Sequence, residues 1–210
     1  MKQVLNYVLF QMIVIVVLGS TTVYAHPPQS DNRVAKSAEE ICPLLIGHSV
    51  PDVQLTTVKG KAFDLSAALS QKHTLLIFYR GGWCPFCNLH LAELQSIQDE
   101  LRNMGYQILA VSMDRPDKLR ESLNEHELTY TLLSDSAAVA TKAFGLAYKA
   151  TNSNTGTLES FSGRQHHILP VPAAFIIGTD GMIKFEYINP NYKVRVKSEV
   201  ILAAAKAAIQ

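Results

Sequence analysis

The 210-residue sequence lacks several features that mark common functional classes. It has no long run of Lys or Arg, and its formal net charge is only +1, so neither a nucleic-acid-binding surface nor a polybasic membrane patch is supported. It also has no internal repeats and no low-complexity segment. Because 48% of the residues are hydrophobic and 18% are charged, the composition is that of a globular protein with a sizeable core.

Cysteine is scarce: the chain has three, at Cys42, Cys84 and Cys87. An odd number excludes a framework in which every cysteine is paired within one chain. A second C-x-x-C pair, which would complete a four-ligand zinc site, is absent. A bridge between Cys84 and Cys87 would close too short a loop to add much stability, so a chemical role is favoured over a structural one. Zinc binding with Cys42 and His166 or His167 stays an alternative, but we expect no metal and no cofactor.

The first residues are typical of a secretory signal peptide. An apolar stretch at 4–19 follows Lys2, and Val23 and Ala25 provide a cleavage site. The stretch is short and too polar for a good membrane span, although an uncleaved anchor stays an alternative. We therefore expect a signal peptide at 1–25, a flexible lead-in at 26–40 and one domain at 41–210. The mature protein is expected in the periplasm, with no stable membrane anchor.

Strand and helix patterns alternate from about residue 41. They predict an N-terminal β-hairpin around 53–64, a buried strand at 74–79, and a helix from 84–87 to about 103. Further predictions are strands at 107–112 and 130–133, helices from 116 to about 126 and at 137–144, a surface loop at 151–156, a hairpin of 173–177 and 182–187, and a helix at 198–208. This order predicts an α/β fold, a mixed central β-sheet flanked by helices.

The cysteine pair lies where the buried strand gives way to a helix. A redox cysteine reacts as the thiolate, and the amino end of a helix favours negative charge. No carboxylate lies between Phe78 and Leu91, and Arg80 adds positive charge. Trp83 and Phe86 supply apolar cover with one open edge. The pair therefore favours reversible dithiol–disulfide chemistry.

Residues 78–87, with the sequence FYRGGWCPFC, resemble the active-site segment of peroxiredoxin-like proteins, the alkyl hydroperoxide reductase/thiol-specific antioxidant group. Residues 47–55 and 172–177 resemble other parts of that family, so the resemblance covers 41–210. It implies a thioredoxin-like fold, thiol-based redox activity, and an external thiol or thioredoxin-type reductant.

The sequence departs from the family pattern at several positions. The peroxiredoxin motif P-x-x-x-[ST]-x-x-C places the peroxide-reacting cysteine at Cys87, its proline at Arg80 and its threonine at Cys84. The family's arginine before the later strand is replaced by Pro172. Thioredoxins have a cis-proline at this position, so the resemblance implies a cis Val171–Pro172 bond, with Val171 presenting backbone to a partner. In thioredoxins the attacking thiol is at the position of Cys84, whereas in peroxiredoxins it is at that of Cys87.

Other polar residues are candidates for the site or for structural roles. Arg80 is a candidate to stabilise a thiolate or a peroxide oxygen. We expect His90 to face water, Cys42 to be a small buried residue, and Arg195 to lead structurally into the last helix. His166 and His167 are expected to be neither site residues nor ligands, and Arg164 is a weaker candidate to replace the missing arginine.

Three functions remain open. The leading prediction is peroxide reduction, in which Cys87 attacks and Cys84 closes the disulfide. The second is a thiol–disulfide oxidoreductase acting on exported proteins, with Cys84 attacking and Pro172 shaping the groove. The third is a copper-binding module that uses Cys84, Cys87 and a histidine.

Overall fold

The structure of the protein is a computed structural model that describes residues 33–151 and 155–209. The strands of the described chain are β1 (Gln54–Thr57), β2 (Ala62–Asp64), β3 (His73–Phe78), β4 (Tyr106–Ser112), β5 (Thr131–Ser134), β6 (Ala147–Lys149), β7 (Ile168–Pro170), β8 (Ala173–Ile177) and β9 (Ile183–Ile188). Its α-helices are α1 (Leu65–Leu69), α2 (Pro85–Ser96), α3 (Gln98–Asn103), α4 (Pro116–Glu125), α5 (Val139–Ala143), α6 (Thr155–Ser162) and α7 (Ser198–Ala208).

Seven strands form one mixed sheet in the order β2-β1-β5-β4-β3-β8-β9. The central strand β3 runs parallel to β4 and antiparallel to β8, so that Leu76 pairs with Leu109 on one side and Phe175 on the other. Because helices cover both faces of such a strand, its sequence is a continuous apolar run. β1 and β2 form the predicted N-terminal hairpin. The predicted α/β fold with a mixed central sheet is confirmed.

Alternate side chains of β3 belong to two different cores. Leu75 and Ile77 join one cluster, which includes the buried residues of α2 and α7. Leu76 and Phe78 join a second cluster on the opposite face. There Phe78 packs against Phe144 with ring centroids 4.9 Å apart. The two cores hold β3 rigidly, and the functional segment begins where β3 ends.

The helix predicted to run from 84–87 to about 103 is divided in two. α2 ends at Ser96, and Ile97 takes a non-helical conformation before α3 begins. The predicted apolar face is nevertheless present, because Leu91, Leu94, Ile97 and Leu101 are all buried.

Two predicted irregular segments contain more structure than expected. In the predicted lead-in, the amide of Ala35 donates to Ala147 and its carbonyl accepts from Lys149, so this residue lies beside β6. Residues 38–40 form a 3₁₀ turn. The surface loop predicted at 151–156 gives way to α6 at Thr155, because Leu158 is fully buried and anchors the helix.

The predicted signal peptide at 1–25 lies outside the described residues. Within the described chain, no helix is long and apolar enough to cross a membrane.

Candidate active site

Cys84 and Cys87 lie at the amino end of α2, directly after the loop that follows β3. Cys84 is the N-cap residue, and Pro85 occupies the first helical position, where a missing amide hydrogen costs nothing. The carbonyl of Cys84 accepts from the amides of Cys87, at 2.9 Å, and Asn88, at 3.1 Å. Both cysteines are free thiols in this structure, and the sequence prediction that they lie together at a helix start is confirmed.

The pKa values of the two thiols are shifted in opposite directions. The Cys87 thiol hydrogen-bonds to the Cys84 sulfur and lowers its pKa from 9.0 to about 6, assisted by the Cys87 amide, Arg80 and Arg195 and opposed by burial. The pKa of Cys87 is raised, because its proton is donated to Cys84 and because it is buried. The pair therefore loses one proton readily, and the negative charge then resides on Cys84.

Two glycines make the tight loop before the cysteines possible. Gly81 has a φ of +144°, and a Cβ there would lie 2.6 Å from an Asp114 carboxylate oxygen. A Cβ on Gly82 would overlap the Ser122 hydroxyl. The amide of Gly82 donates to Asp114 at 2.7 Å, and its carbonyl accepts from Asn88 at 2.8 Å. These bonds fix the direction in which the loop enters α2.

Aromatic and cationic side chains cover the sulfurs. The Arg80 guanidinium carbon lies 4.7 Å from the Trp83 ring centroid and 4.1 Å from that of Tyr192. The Tyr192 ring meets Phe86 edge-on, with centroids 5.9 Å apart. Under this cover Cys84 and Cys87 are each only 1% exposed. The open edge predicted between Trp83 and Phe86 is closed by Tyr192, which the sequence analysis did not single out.

Arg195 reaches the site from the loop between β9 and α7. Its Nη2 donates to the Cys87 sulfur at 3.4 Å. Arg195 was predicted to have a structural role on the way into the last helix, and the structure adds a contact with the Cys87 sulfur, since the chain folds back so that this loop lies over α2.

The buried carboxyl group of Asp114 accepts a hydrogen bond from the loop that precedes the cysteines. Burial raises the pKa of Asp114 to about 6, although the Gly82 amide and the Ser112 hydroxyl act in the opposite direction. Tyr79, fully buried nearby, has a pKa raised well above its ordinary value by burial and by Asp114. Neither Asp114 nor Tyr79 was predicted to be a site residue. Tyr79 is the last residue of the predicted buried strand at 74–79, and Asp114 follows the predicted strand at 107–112.

The structure corrects the expectations for Val171 and Pro172. No peptide bond among the described residues is cis, so the expected cis Val171–Pro172 bond is wrong. Val171 and Pro172 connect β7 to β8 without a turn. The Val171 amide donates to Leu146 at 2.9 Å, and the residue is fully buried, so this amide is not free to meet a partner. Pro172 instead lines a small cavity of about 10 Å³ together with His90 and Arg195.

The remaining candidate residues have different outcomes. His90 is 5% exposed rather than facing water, because it lies one helical turn beyond Cys87 on the buried face of α2; burial lowers its pKa to about 4. Cys42 is exposed rather than buried, because it precedes the chain's entry into the core at Leu44. His166 and His167 contact Ser136 and Glu159. Arg164 is an exposed residue. In the described part of the chain, no three His, Cys, Asp or Glu residues are grouped to hold a metal ion.

Comparison with known proteins gives a consistent result. The AhpC/TSA family model matches residues 46–186. Peroxiredoxin Bcp of Escherichia coli is 28% identical over 160 residues, which cover 76% of this chain and 94% of that protein. A 1-Cys peroxiredoxin of Medicago truncatula is 24% identical, covering 75% of this chain and 70% of that protein.

Solved structures share the fold. Reduced Prx3 of Vibrio vulnificus in complex with H₂O₂ superposes with a TM-score of 0.67 at 20% identity, covering 78% of this chain and 96% of that one. Peroxidoxin BcpB of Mycobacterium tuberculosis gives 0.62 at 20% identity, covering 77% and 96%. Since the family model spans more than half of the sequence and includes both active-site cysteines, this chain belongs to the AhpC/TSA family and is a thiol-dependent oxidoreductase of the peroxiredoxin type.

Proposed function

We propose that this protein reduces peroxides by cycling Cys84 and Cys87 between dithiol and disulfide, with Cys84 as the attacking thiol. The observation that carries the proposal is the hydrogen-bonded pair at the start of α2, in which the pKa of Cys84 is lowered to about 6. At neutral pH such a thiol is largely ionised and ready to react. This assignment reverses the order that the peroxiredoxin motif predicts for Cys87.

The reaction has two steps that balance without a cofactor. The Cys84 thiolate attacks one oxygen of the peroxide, the O–O bond breaks, and Cys84 becomes a sulfenic acid while the other oxygen leaves as an alkoxide or hydroxide that takes up a proton. The Cys87 thiolate then attacks the Cys84 sulfur and releases hydroxide, which becomes water. An external thiol, of the thioredoxin type, restores both thiols by disulfide exchange.

Burial of the sulfurs favours a small oxidant. Both cysteines are 1% exposed beneath Trp83, Phe86 and Tyr192. A hydroperoxide group needs only a narrow opening to reach Cys84. A disulfide in a folded protein brings backbone with it and needs the aromatic cover to move aside. Peroxide reduction is therefore favoured over exchange with protein disulfides, which is the second candidate function. In both functions Cys84 is the attacking thiol.

We propose further that the protein is exported to the periplasm. The support is in the sequence, where the apolar stretch at 4–19 ends before Val23 and Ala25. In an oxidising compartment the enzyme depends on a reductant delivered to it, since disulfides persist there. Fractionation of expressing bacteria tests this: we expect the periplasmic protein to begin at His26. Full-length protein in the cytosol would contradict export and leave the chemistry unaffected.

The peroxide cycle is tested with single-cysteine variants, all carrying Cys42→Ser to remove the exposed thiol. One equivalent of hydrogen peroxide should convert the reduced protein to a form two hydrogens lighter, with a Cys84–Cys87 bond found by peptide mass spectrometry. Cys87→Ser should form a sulfenic acid at Cys84 that dimedone traps, and Cys84→Ser should react far more slowly. Fast trapping at Cys87 in Cys84→Ser would overturn the assignment of the attacking thiol.

A second substrate separates the two candidate functions. The same reduced protein is mixed with a small disulfide-bonded protein, and oxidation is followed by Trp83 fluorescence. We expect oxidation by peroxide to be much the faster. Fast oxidation by the protein disulfide together with slow oxidation by peroxide would replace peroxide reduction with thiol–disulfide exchange.

A further inference from the structure

We propose that Arg195 is a catalytic residue that activates Cys87 for disulfide formation; the inference rests on the proposed function and extends it to the second step. Arg195 Nη2 lies 3.4 Å from the Cys87 sulfur, which is one of the two reacting atoms of that step. The positive charge at this sulfur comes from the loop between β9 and α7.

The backbone holds the Arg195 side chain in place. Its Nη1 donates to the carbonyls of Tyr192 and Val194. The end of the same loop is tied to α2, because Glu93 accepts from the amide of Ser198, at 3.1 Å, and from its hydroxyl, at 2.7 Å. The guanidinium is thus pre-positioned over Cys87 and does not depend on a mobile partner.

The charge of Arg195 is not neutralised by a carboxylate. In the two described ranges, 33–151 and 155–209, no Asp or Glu forms an ion pair with this side chain. Glu93, the acidic residue of the neighbouring α2 face, is engaged by Ser198. His90, which faces the same cavity, has a pKa lowered to about 4 by burial and by Arg195, so it is neutral at pH 7. Arg195 is therefore a cation without a paired carboxylate at the Cys87 sulfur, and it also assists the ionisation of Cys84.

Pro172 and Arg195 meet at one cavity. This cavity, of about 10 Å³, is lined by both residues and by His90. The Pro172 ring carries no charge, and the guanidinium reaches the same space from the loop before α7. The guanidinium therefore brings positive charge to this cavity, since Pro172 has none and His90 is neutral at pH 7.

The need for a cation at Cys87 itself arises after the first step. In the resting enzyme Cys87 keeps its proton, because it donates a hydrogen bond to the Cys84 thiolate and is buried. Oxidation turns Cys84 into a neutral sulfenic acid and removes that negative charge. Cys87 must then lose its proton to attack, and Arg195 is the cation in contact with it. Cys87–S⁻ attacks Cys84–SOH, the S–O bond breaks, and the leaving hydroxide takes up one proton, equivalent to the one that Cys87 gave up, to form water.

Single-turnover kinetics of Arg195→Gln test this role. The variant, in the Cys42→Ser background, is mixed with excess hydrogen peroxide, and sulfenic acid and disulfide are followed separately by timed dimedone quenching. A charge-assisted hydrogen bond is worth enough to slow disulfide formation about ten- to hundredfold, so the Cys84 sulfenic acid should accumulate. Arg195→Lys should recover part of the rate, since it restores a cation without the fork of donors.

Lys197→Gln is the matched control. It removes one positive charge from the same segment, at an exposed residue, and should form the disulfide at the parental rate. Thermal unfolding of each variant confirms that it is folded, and the partial rescue by Arg195→Lys separates a loss of charge from a loss of loop structure.

Three outcomes overturn the inference. They are an unchanged rate of disulfide formation in Arg195→Gln, an equal loss in Lys197→Gln, and a loss confined to the peroxide step. Each of these differs from failure of the proposed function, in which the parent enzyme itself forms no sulfenic acid at Cys84.

Discussion

The acidity of Cys84 leads to a specific pH profile for the first chemical step. With a pKa lowered from 9.0 to about 6, roughly nine tenths of Cys84 is thiolate at pH 7, against about one hundredth for an unperturbed thiol. The rate of reaction with hydrogen peroxide should therefore be half-maximal near pH 6, fall below it as Cys84 gains its proton, and be flat from about pH 7 to 8. Stopped-flow Trp83 fluorescence in the Cys42→Ser protein measures the rate, and thiolate absorbance at 240 nm measures the titration.

The largest cause of this shift can be removed by one substitution. The Cys87 thiol donates to the Cys84 sulfur, and a hydrogen bond to a charged group contributes about 1.5–3 kcal/mol. At about 1.4 kcal/mol per pKa unit, Cys87→Ala should move the midpoint up by about 1–2 units. Cys87→Ser is the matched control, because its hydroxyl keeps a donor and the midpoint should rise less.

Two results would refute this reasoning. A midpoint near pH 9 in the parent protein would show that the start of α2 does not stabilise the thiolate. Equal midpoints in Cys87→Ala and Cys87→Ser would show that the shift has a cause other than the hydrogen bond between the two cysteines.

Three further predictions concern stability and are checked by urea unfolding. Gly145→Ala should cost more than about 2 kcal/mol, because φ is +68° and a Cβ would overlap the Cys42 carbonyl oxygen, whereas Gly105→Ala, with open space at φ +85°, should cost only about 1 kcal/mol. Leu91→Ala, at a fully buried position, should cost about 2–5 kcal/mol. Burial raises the pKa of Asp114 from 3.8 to about 6, so between these pH values the folded protein binds a proton that the unfolded chain has lost. Stability should therefore fall by about 3 kcal/mol as pH rises through that range. Asp114→Asn should abolish the fall. A drop of the same size in Asp114→Asn would assign it to another group.

The sequence predicted the features of the site that depend on neighbouring residues. The end of β3, the start of α2 and the placement of Cys84 and Cys87 follow from an apolar run, two glycines and a proline within 14 residues of chain. The burial of His90 was open to the same reasoning, because it lies three positions after Cys87 and one before Leu91, on one helix face. We expected it in water because a lone histidine carries little local signal.

Features that depend on distant segments were missed. Arg195 is 108 residues from Cys87, and Tyr192 is as remote from Arg80. Only the path of the chain through β8 and β9 brings their loop onto α2. The expected cis bond at Pro172 came from resemblance to thioredoxins rather than from any property of this segment, which connects β7 to β8 without a turn.

The distance along the chain between Cys87 and Arg195 has a consequence for biosynthesis. At ribosomal rates of about 5–20 residues per second, 108 residues take roughly 5 to 20 s to synthesise. For that interval the nascent cysteines lack Tyr192, which completes the aromatic cover, and the Arg195 guanidinium, both of which come with the carboxyl-terminal loop. We therefore expect the cysteines of a nascent chain to be open to premature oxidation until the carboxyl-terminal loop has reached α2.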